Sequence, residues 1–145
     1  MTRLRFGIVG CGAISEALYL PVLSKSKSIC SELHLLDTHP GRLAAMAEKY
    51  RAASRTTKLP ELIARVDAAV IATPPLTHFP IAQALIAAGK HVFCEKPMTI
   101  RLTEAEDLVQ RRFDGERRAE IITAVAFQLC PVSEKSSKAV SLVGH

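Results

Sequence analysis

Short apolar runs alternate with amphipathic stretches along the whole chain. Leu4-Arg5-Phe6-Gly7-Ile8-Val9 reads as a first strand that runs directly into Gly10-Cys11-Gly12. A helical pattern follows over residues 13–24, with Pro21 inside it to kink it or end its regular part. Residues 32–37 form the second predicted strand, and Pro40 suits the start of a helix over 41–50. A short strand near 54–57 and a brief helix over 60–65 come next. The continuous apolar run 68–72, halted by Thr73-Pro74-Pro75, is the pattern of a central strand buried on both faces. A nearly all-apolar helix over 79–88 closes on Gly89, and the strand 91–94 leads into Glu95-Lys96-Pro97. Thr103-Glu104-Ala105-Glu106 opens a further helix with a capping box, and residues 121–127 supply a last strand. Strands alternating with helices predict an α/β domain: a doubly wound parallel sheet of about six strands with helices on both faces.

Composition narrows the class without changing that picture. The chain has 145 residues, 48% hydrophobic and 23% charged, which fits one globular domain with a sizeable core. Its net charge of +5 raises the question of a nucleic-acid partner. The basic residues are dispersed, however, and the cluster Arg111-Arg112 with Arg117-Arg118 encloses Asp114-Gly115-Glu116. Aromatic interleaving is also missing, so no nucleic-acid partner is expected. Cys11, Cys30, Cys94 and Cys130 make no metal-ligand or CxxC spacing, and a reducing compartment is the simplest inference. The first strand begins by Leu4 and no apolar run approaches the roughly 18 residues of a membrane span, so the expectation is a cytoplasmic protein with no membrane partner.

Candidate chemistry lies where four predicted segments end. A strand followed by Gly10, Gly12 and a helix start at Ala13 and Ile14 is a pyrophosphate seat: Gly10 permits the tight turn, Gly12 lets backbone approach the phosphates, and the helix start offers free N–H groups. Ser15 replaces the third small residue and still allows close helix–strand packing. Asp37, 25 residues beyond Gly12, stands at the end of the second strand, where an acid accepts hydrogen bonds from an adenosine ribose. Capping the Thr38-His39-Pro40 turn is the structural alternative. An Asp there favours NAD, while Arg42 nearby keeps NADP open as a 2′-phosphate ligand. Thr73, Pro74 and Pro75 form a stiff loop predicted to lie along the nicotinamide half of the cofactor. His78 either caps the next helix or approaches the nicotinamide side. Lys96 sits between an acid and a proline at the end of a buried strand. Beside a nicotinamide, its ammonium would polarise a carbonyl or ease proton loss from a substrate hydroxyl. Glu95 would set the lysine's orientation and charge, and Pro97 would fix the turn, in cis or trans.

Gly10-Cys11-Gly12-Ala13-Ile14-Ser15, Ala72-Thr73-Pro74-Pro75 with His78, and Ala88 through Met98 with Glu95-Lys96-Pro97 together resemble the amino-terminal domain of the Gfo/Idh/MocA oxidoreductases. The resemblance covers most of the chain, from Leu4 to Phe127. It implies a Rossmann domain binding NAD or NADP, with Lys96 at the position of the family's active-site lysine and sugars, cyclitols or their derivatives as substrates. Family members carry a second, larger domain whose open antiparallel sheet forms the substrate site and oligomer interface and supplies catalytic His and Asp residues. The stretch after Phe127 departs from the family, lacking the arginine that usually precedes the proline. The expected organisation is therefore a dinucleotide-binding domain over 1–128 and a tail over 129–145 that starts a crossover helix. On this reading the chain is inactive alone, needs the second domain for its small-molecule substrate, and self-associates through exposed apolar surface. A stand-alone nucleotide-binding module or redox sensor is the alternative.

Overall fold

In the computed structural model, which describes residues 3–113 and 121–123, six strands form one parallel sheet. They are β1 (Leu4–Val9), β2 (Cys30–Leu36), β3 (Ser54–Thr56), β4 (Ala68–Ile71), β5 (His91–Cys94) and β6 (Ile121–Thr123). Their spatial order is β3-β2-β1-β4-β5-β6. The chain thus builds outward from β1 in one direction, then returns to add β4 on its other side. That reversal opens a crevice beyond the carboxyl ends of β1 and β4, the place where such sheets receive ligands.

Burial explains the order. β4 is buried along its whole length, and Ile8, Val9, Val70 and Ile71 are all at most 5% exposed. A central strand covered on both faces needs such an unbroken apolar run. On one face, α1 (Leu20–Lys25) and α2 (Pro40–Lys49) bury Leu20, Leu23 and Leu43 against Ile8, Leu33, Leu35 and Val70. On the other, α3 (Leu59–Ile63) packs Leu62 against Val9 and Leu36. Beside it on that face, α4 (His78–Ala87) and α5 (Leu102–Phe113) set Ala82, Leu85, Ile86 and Leu108 against Ala69, Ile71, Val92 and Cys94. At the amino edge, Arg5 clasps Asp67 through Nε and Nη2 at 3.1 and 2.6 Å, while the Arg5 backbone N–H adds a third bond at 2.9 Å. This tie joins the start of β1 to the residue before β4, and it holds the Asp67 carboxyl down at about 2.

Several boundaries differ from the sequence expectation for identifiable reasons. The helix after the glycines runs on to Lys25, with Ser15–Tyr19 forming a π-helical turn in which the Leu20 N–H reaches the Ser15 carbonyl. Pro21 has no N–H to give to the preceding turn, and its ring presses on the carbonyl four residues back. The wider π turn just before it relieves that conflict, so the proline sits in the first turn of α1 and ends nothing. A 3₁₀ turn over Pro75–Thr77 precedes α4, which therefore starts at His78. β2 ends at Leu36, placing Asp37 just past the strand. The expected strand over 121–127 is described only for Ile121–Thr123, and the expected tail over 129–145 lies outside the described residues. No helix of the described residues is long and apolar enough to cross a membrane.

One face of the sheet is left partly open. β5 lies between two neighbours, yet Val92 and Cys94 are buried while His91 and Phe93 are only half-buried. An apolar groove of about 550 Å³ runs there, between α1 and the strands, lined by Leu18, Tyr19, Val22, Ile29, Val70 and Phe93. Leu18 and Val22 are each 56% exposed on its rim. The groove is almost wholly apolar and lies along the face of the sheet, away from the strand ends that carry the candidate chemistry.

Candidate functional site

The strand ends converge because the ladder carries them there. Gly10 N–H donates to the Leu36 carbonyl at 2.8 Å, Ala72 N–H to Val9 at 2.9 Å, and Glu95 N–H to Ile71 at 2.9 Å. The turn after β1, Asp37, the Thr73 loop and the Glu95 turn are thereby set side by side along one edge.

The two glycines have different jobs. Gly10 has φ +91°, and a Cβ built on it would stand 2.7 Å from the Ala72 carbonyl oxygen. Only glycine fits there on both counts. A Cβ on Gly12 would meet nothing within 4 Å, so backbone at this point faces open space. Gly12 also gives the first helical acceptor, its carbonyl taking the Glu16 N–H at 3.0 Å, which leaves Ala13 and Ile14 exposed in the first turn. Ser15 is fully buried, and its hydroxyl donates to the Gly10 carbonyl at 2.5 Å, tying the helix start back onto the turn. An uncrowded glycine at a helix start, behind a strained one, is the backbone that a pyrophosphate requires.

Asp37 is 3% exposed and its two oxygens are fully engaged. Cys11 N–H donates to one at 2.7 Å and His39 N–H to the other at 2.8 Å, while Arg42 grips both through Nε at 3.0 Å and Nη2 at 2.7 Å. Burial pushes the carboxyl up, but the Arg42 guanidinium and the two backbone N–H groups together hold it below its ordinary value. Asp37 thus fastens the glycine turn to the start of α2 and caps the following turn. The Cys11 and His39 donors belong to the backbone and are fixed. Arg42 is a half-exposed side chain, so a ribose diol would reach Asp37 in exchange for Arg42. Burial pushes the Cys11 thiol up to about 12, with Asp37 adding to the effect, which makes it a packed apolar group.

On the other half of the edge, His78 is 1% exposed and spans two loops. Its Nδ1 lies 2.7 Å from the Pro97 carbonyl oxygen and its Nε2 lies 2.7 Å from that of Thr73. The ring therefore presents no spare nitrogen to a ligand, and the helix start is capped by Thr77 without any side-chain cap bond. His78 acts on the edge through the loops it joins. Thr77 Oγ1 lies 2.7 Å from the Pro74 carbonyl oxygen and 2.8 Å from Thr73 Oγ1, stiffening the Thr73-Pro74-Pro75 loop further. The Lys96–Pro97 peptide is cis.

Glu95 is buried, and its carboxylate accepts the Tyr19 hydroxyl and, at 3.1 Å, the Lys96 backbone N–H. It shapes the turn by holding the Lys96 backbone, not the lysine's side chain. Lys96 and Pro97 are exposed. Burial, reinforced by Glu95, pushes the Tyr19 hydroxyl well above its ordinary range and keeps it a donor. Tyr19 was not singled out in the sequence, nor was the grip of Arg42 on Asp37. Tyr19 lies 76 residues from its partner, and only the π turn that rotates it toward β5 brings the two together. Among the described residues no three His, Cys, Asp or Glu side chains are grouped to hold a metal ion.

Residues 4–119 match the family model described as the oxidoreductase family with an NAD-binding Rossmann fold. An inositol 2-dehydrogenase from Acidothermus cellulolyticus is 36% identical over 120 residues, which is 76% of this chain and 34% of that protein. The WlbA dehydrogenase of Bordetella pertussis, solved in complex with NADH and UDP-GlcNAcA, superposes with a TM-score of 0.74 at 30% identity, over 84% of this chain and 35% of that one. GenD2 from gentamicin A biosynthesis, solved in complex with NAD, gives 0.76 at 29% identity, over 86% and 35%. The chain spans about a third of the length of the curated relatives it matches.

Proposed function

The chain belongs to the Gfo/Idh/MocA oxidoreductase family, and on that premise we propose that it is the cofactor-holding half of a dehydrogenase acting on a sugar, a cyclitol or a derivative of one. The relatives' own substrates, an inositol among them, set that class. NAD supplies the hydride acceptor when bound. Gly12, Ala13 and Ile14 would hold its pyrophosphate, and Asp37 its adenosine ribose. The Thr73-Pro74-Pro75 loop would lie along the nicotinamide half, with Glu95 and Pro97 shaping the turn that presents Lys96. Lys96 would take or give the proton of the substrate oxygen as the carbinol carbon is oxidised or its carbonyl reduced.

The observation that carries this reading is the pairing of an uncrowded Gly12 with an exposed Lys96 on one sheet edge, each held from behind by buried bonds. For Lys96 the arrangement is chemically apt. Its ammonium has no ion-pair partner among the described residues, so its proton is not committed to a carboxylate. The test is a titration of the chain with NADH and with NADPH, followed by nicotinamide fluorescence and by the melting temperature. A hundredfold excess over the dissociation constant should add about 2.7 kcal/mol of stability. NADH should bind more tightly than NADPH, because the Asp37 charge repels a 2′-phosphate. Absence of any change at millimolar cofactor would sink the proposal.

A further inference from the structure

Both ring nitrogens of His78 stand 2.7 Å from backbone carbonyl oxygens, Nδ1 from Pro97 and Nε2 from Thr73. A carbonyl oxygen accepts and cannot donate. Each contact therefore needs a proton on its nitrogen, and a neutral imidazole has only one. A neutral ring would set a nitrogen lone pair against a carbonyl oxygen at hydrogen-bond distance inside the protein, where that repulsion is poorly screened. The opposing effects are the burial of a cation on a ring 1% exposed and the position of His78 at the start of α4, where the helix dipole disfavours positive charge. Two charge-assisted bonds to carbonyls act against both, and they hold the ring in place between the two loops.

We infer that His78 is held as an imidazolium and is the positioning residue for Lys96: its two N–H groups lock the Lys96–Pro97 turn to the Thr73-Pro74-Pro75 loop. The inference rests on the cofactor-site reading for its consequence, though not for its geometry. His78 is fully buried and touches nothing outside these two loops by its ring nitrogens, so its influence on the edge passes through Pro97 to the lysine beside it. Of the two bonds, the one from Nδ1 to Pro97 sets Lys96, while the one from Nε2 to Thr73 anchors the ring.

The test uses the full chain with nitrogen-15-labelled histidine. The His78 ring should show protons on both nitrogens at neutral pH, and a ring with a single N–H would overturn the inference. Two substitutions then separate its bonds, because an asparagine amide lies near the place of Nδ1 and a glutamine amide near that of Nε2. His78→Asn should keep NADH protection of Lys96 against acetylation, read by mass spectrometry, with affinity within about threefold of the parent. His78→Gln should lose that protection and weaken NADH about tenfold, the loss expected for one hydrogen bond. Equal retention by the two variants would mean that His78 only fills space, equal loss would mean that the Pro97 bond does not set Lys96, and either result would overturn the assigned positioning role. Should the parent chain not bind NADH at all, the cofactor reading fails, while the ring measurement still decides the state of His78.

Discussion

The two halves of the sheet's carboxyl edge are built in opposite ways. Beside β1 and β2, backbone is the working surface: Gly10 makes the bend, Gly12 faces open space, and Asp37 spends both oxygens on Cys11, His39 and Arg42. Beside β4 and β5, buried polar groups work from behind, with His78 and Glu95 fastening loops so that one lysine stands out in front. The first half is shaped to receive an anion through N–H groups, which a side chain could only obstruct. The second is shaped to present a cation, which only a side chain can supply. On the proposed function the edge has a binding half and a reactive half, and each should fail in its own manner.

Substitution should expose that difference, most severely at Gly10. Gly10→Ala combines a positive φ with a Cβ 2.7 Å from the Ala72 oxygen, and denaturant unfolding should show a loss of about 3 kcal/mol. Asp37→Ala leaves the Cys11 and His39 N–H groups without their acceptor and should cost about 2 kcal/mol. It should also weaken NAD more than NADP, and an equal loss of both would contradict the ribose assignment. Gly12→Ala should leave stability within about 0.5 kcal/mol, since its Cβ meets no protein atom, yet it should weaken NADH because that Cβ takes the cofactor's room.

Lys96→Ala should be quieter still in this chain, changing unfolding by less than about 0.5 kcal/mol because the side chain is exposed. A pH-dependent effect lies at the opposite edge, outside both halves. Asp67 falls from an ordinary 3.8 to about 2 beside Arg5. A depressed carboxyl stabilises the fold above its unfolded value, and that contribution disappears as pH falls through its folded one. The melting temperature of the parent should therefore drop between about pH 4 and pH 2 more steeply than that of Asp67→Asn, as a thermal scan across acid buffers will show.

Much of the edge was legible in the sequence, for reasons that also mark the limit. Unbroken apolar runs disclose buried strands, and Gly10, Asp37, Thr73 and Glu95 each follow one directly, so their common edge comes from counting along the chain. Parallel strands place their ends together, and no contact need be known for that step. The bonds behind the edge were not legible. Tyr19 meets Glu95 only because β1 and β5 stand on either side of β4 and a π turn rotates the tyrosine toward them. His78 showed in the sequence as a polar residue near a helix start, with no sign of the second carbonyl nineteen residues on. Arg42 invited a reading as a phosphate ligand, whereas its geometry pairs it with Asp37. Local pattern reveals which residues reach the edge, and sheet order determines what they touch there.

The proposed function places the cofactor over the uncrowded backbone of the glycine turn. An amide-resolved titration of the full chain with NAD tests it most directly. Saturable shifts should centre on Gly12, Ala13 and Ile14, accompanied by the Arg42 side-chain N–H as its hold on Asp37 is exchanged. Shifts confined to the apolar groove around Val22 and Phe93, or no saturable change at millimolar NAD, would contradict it.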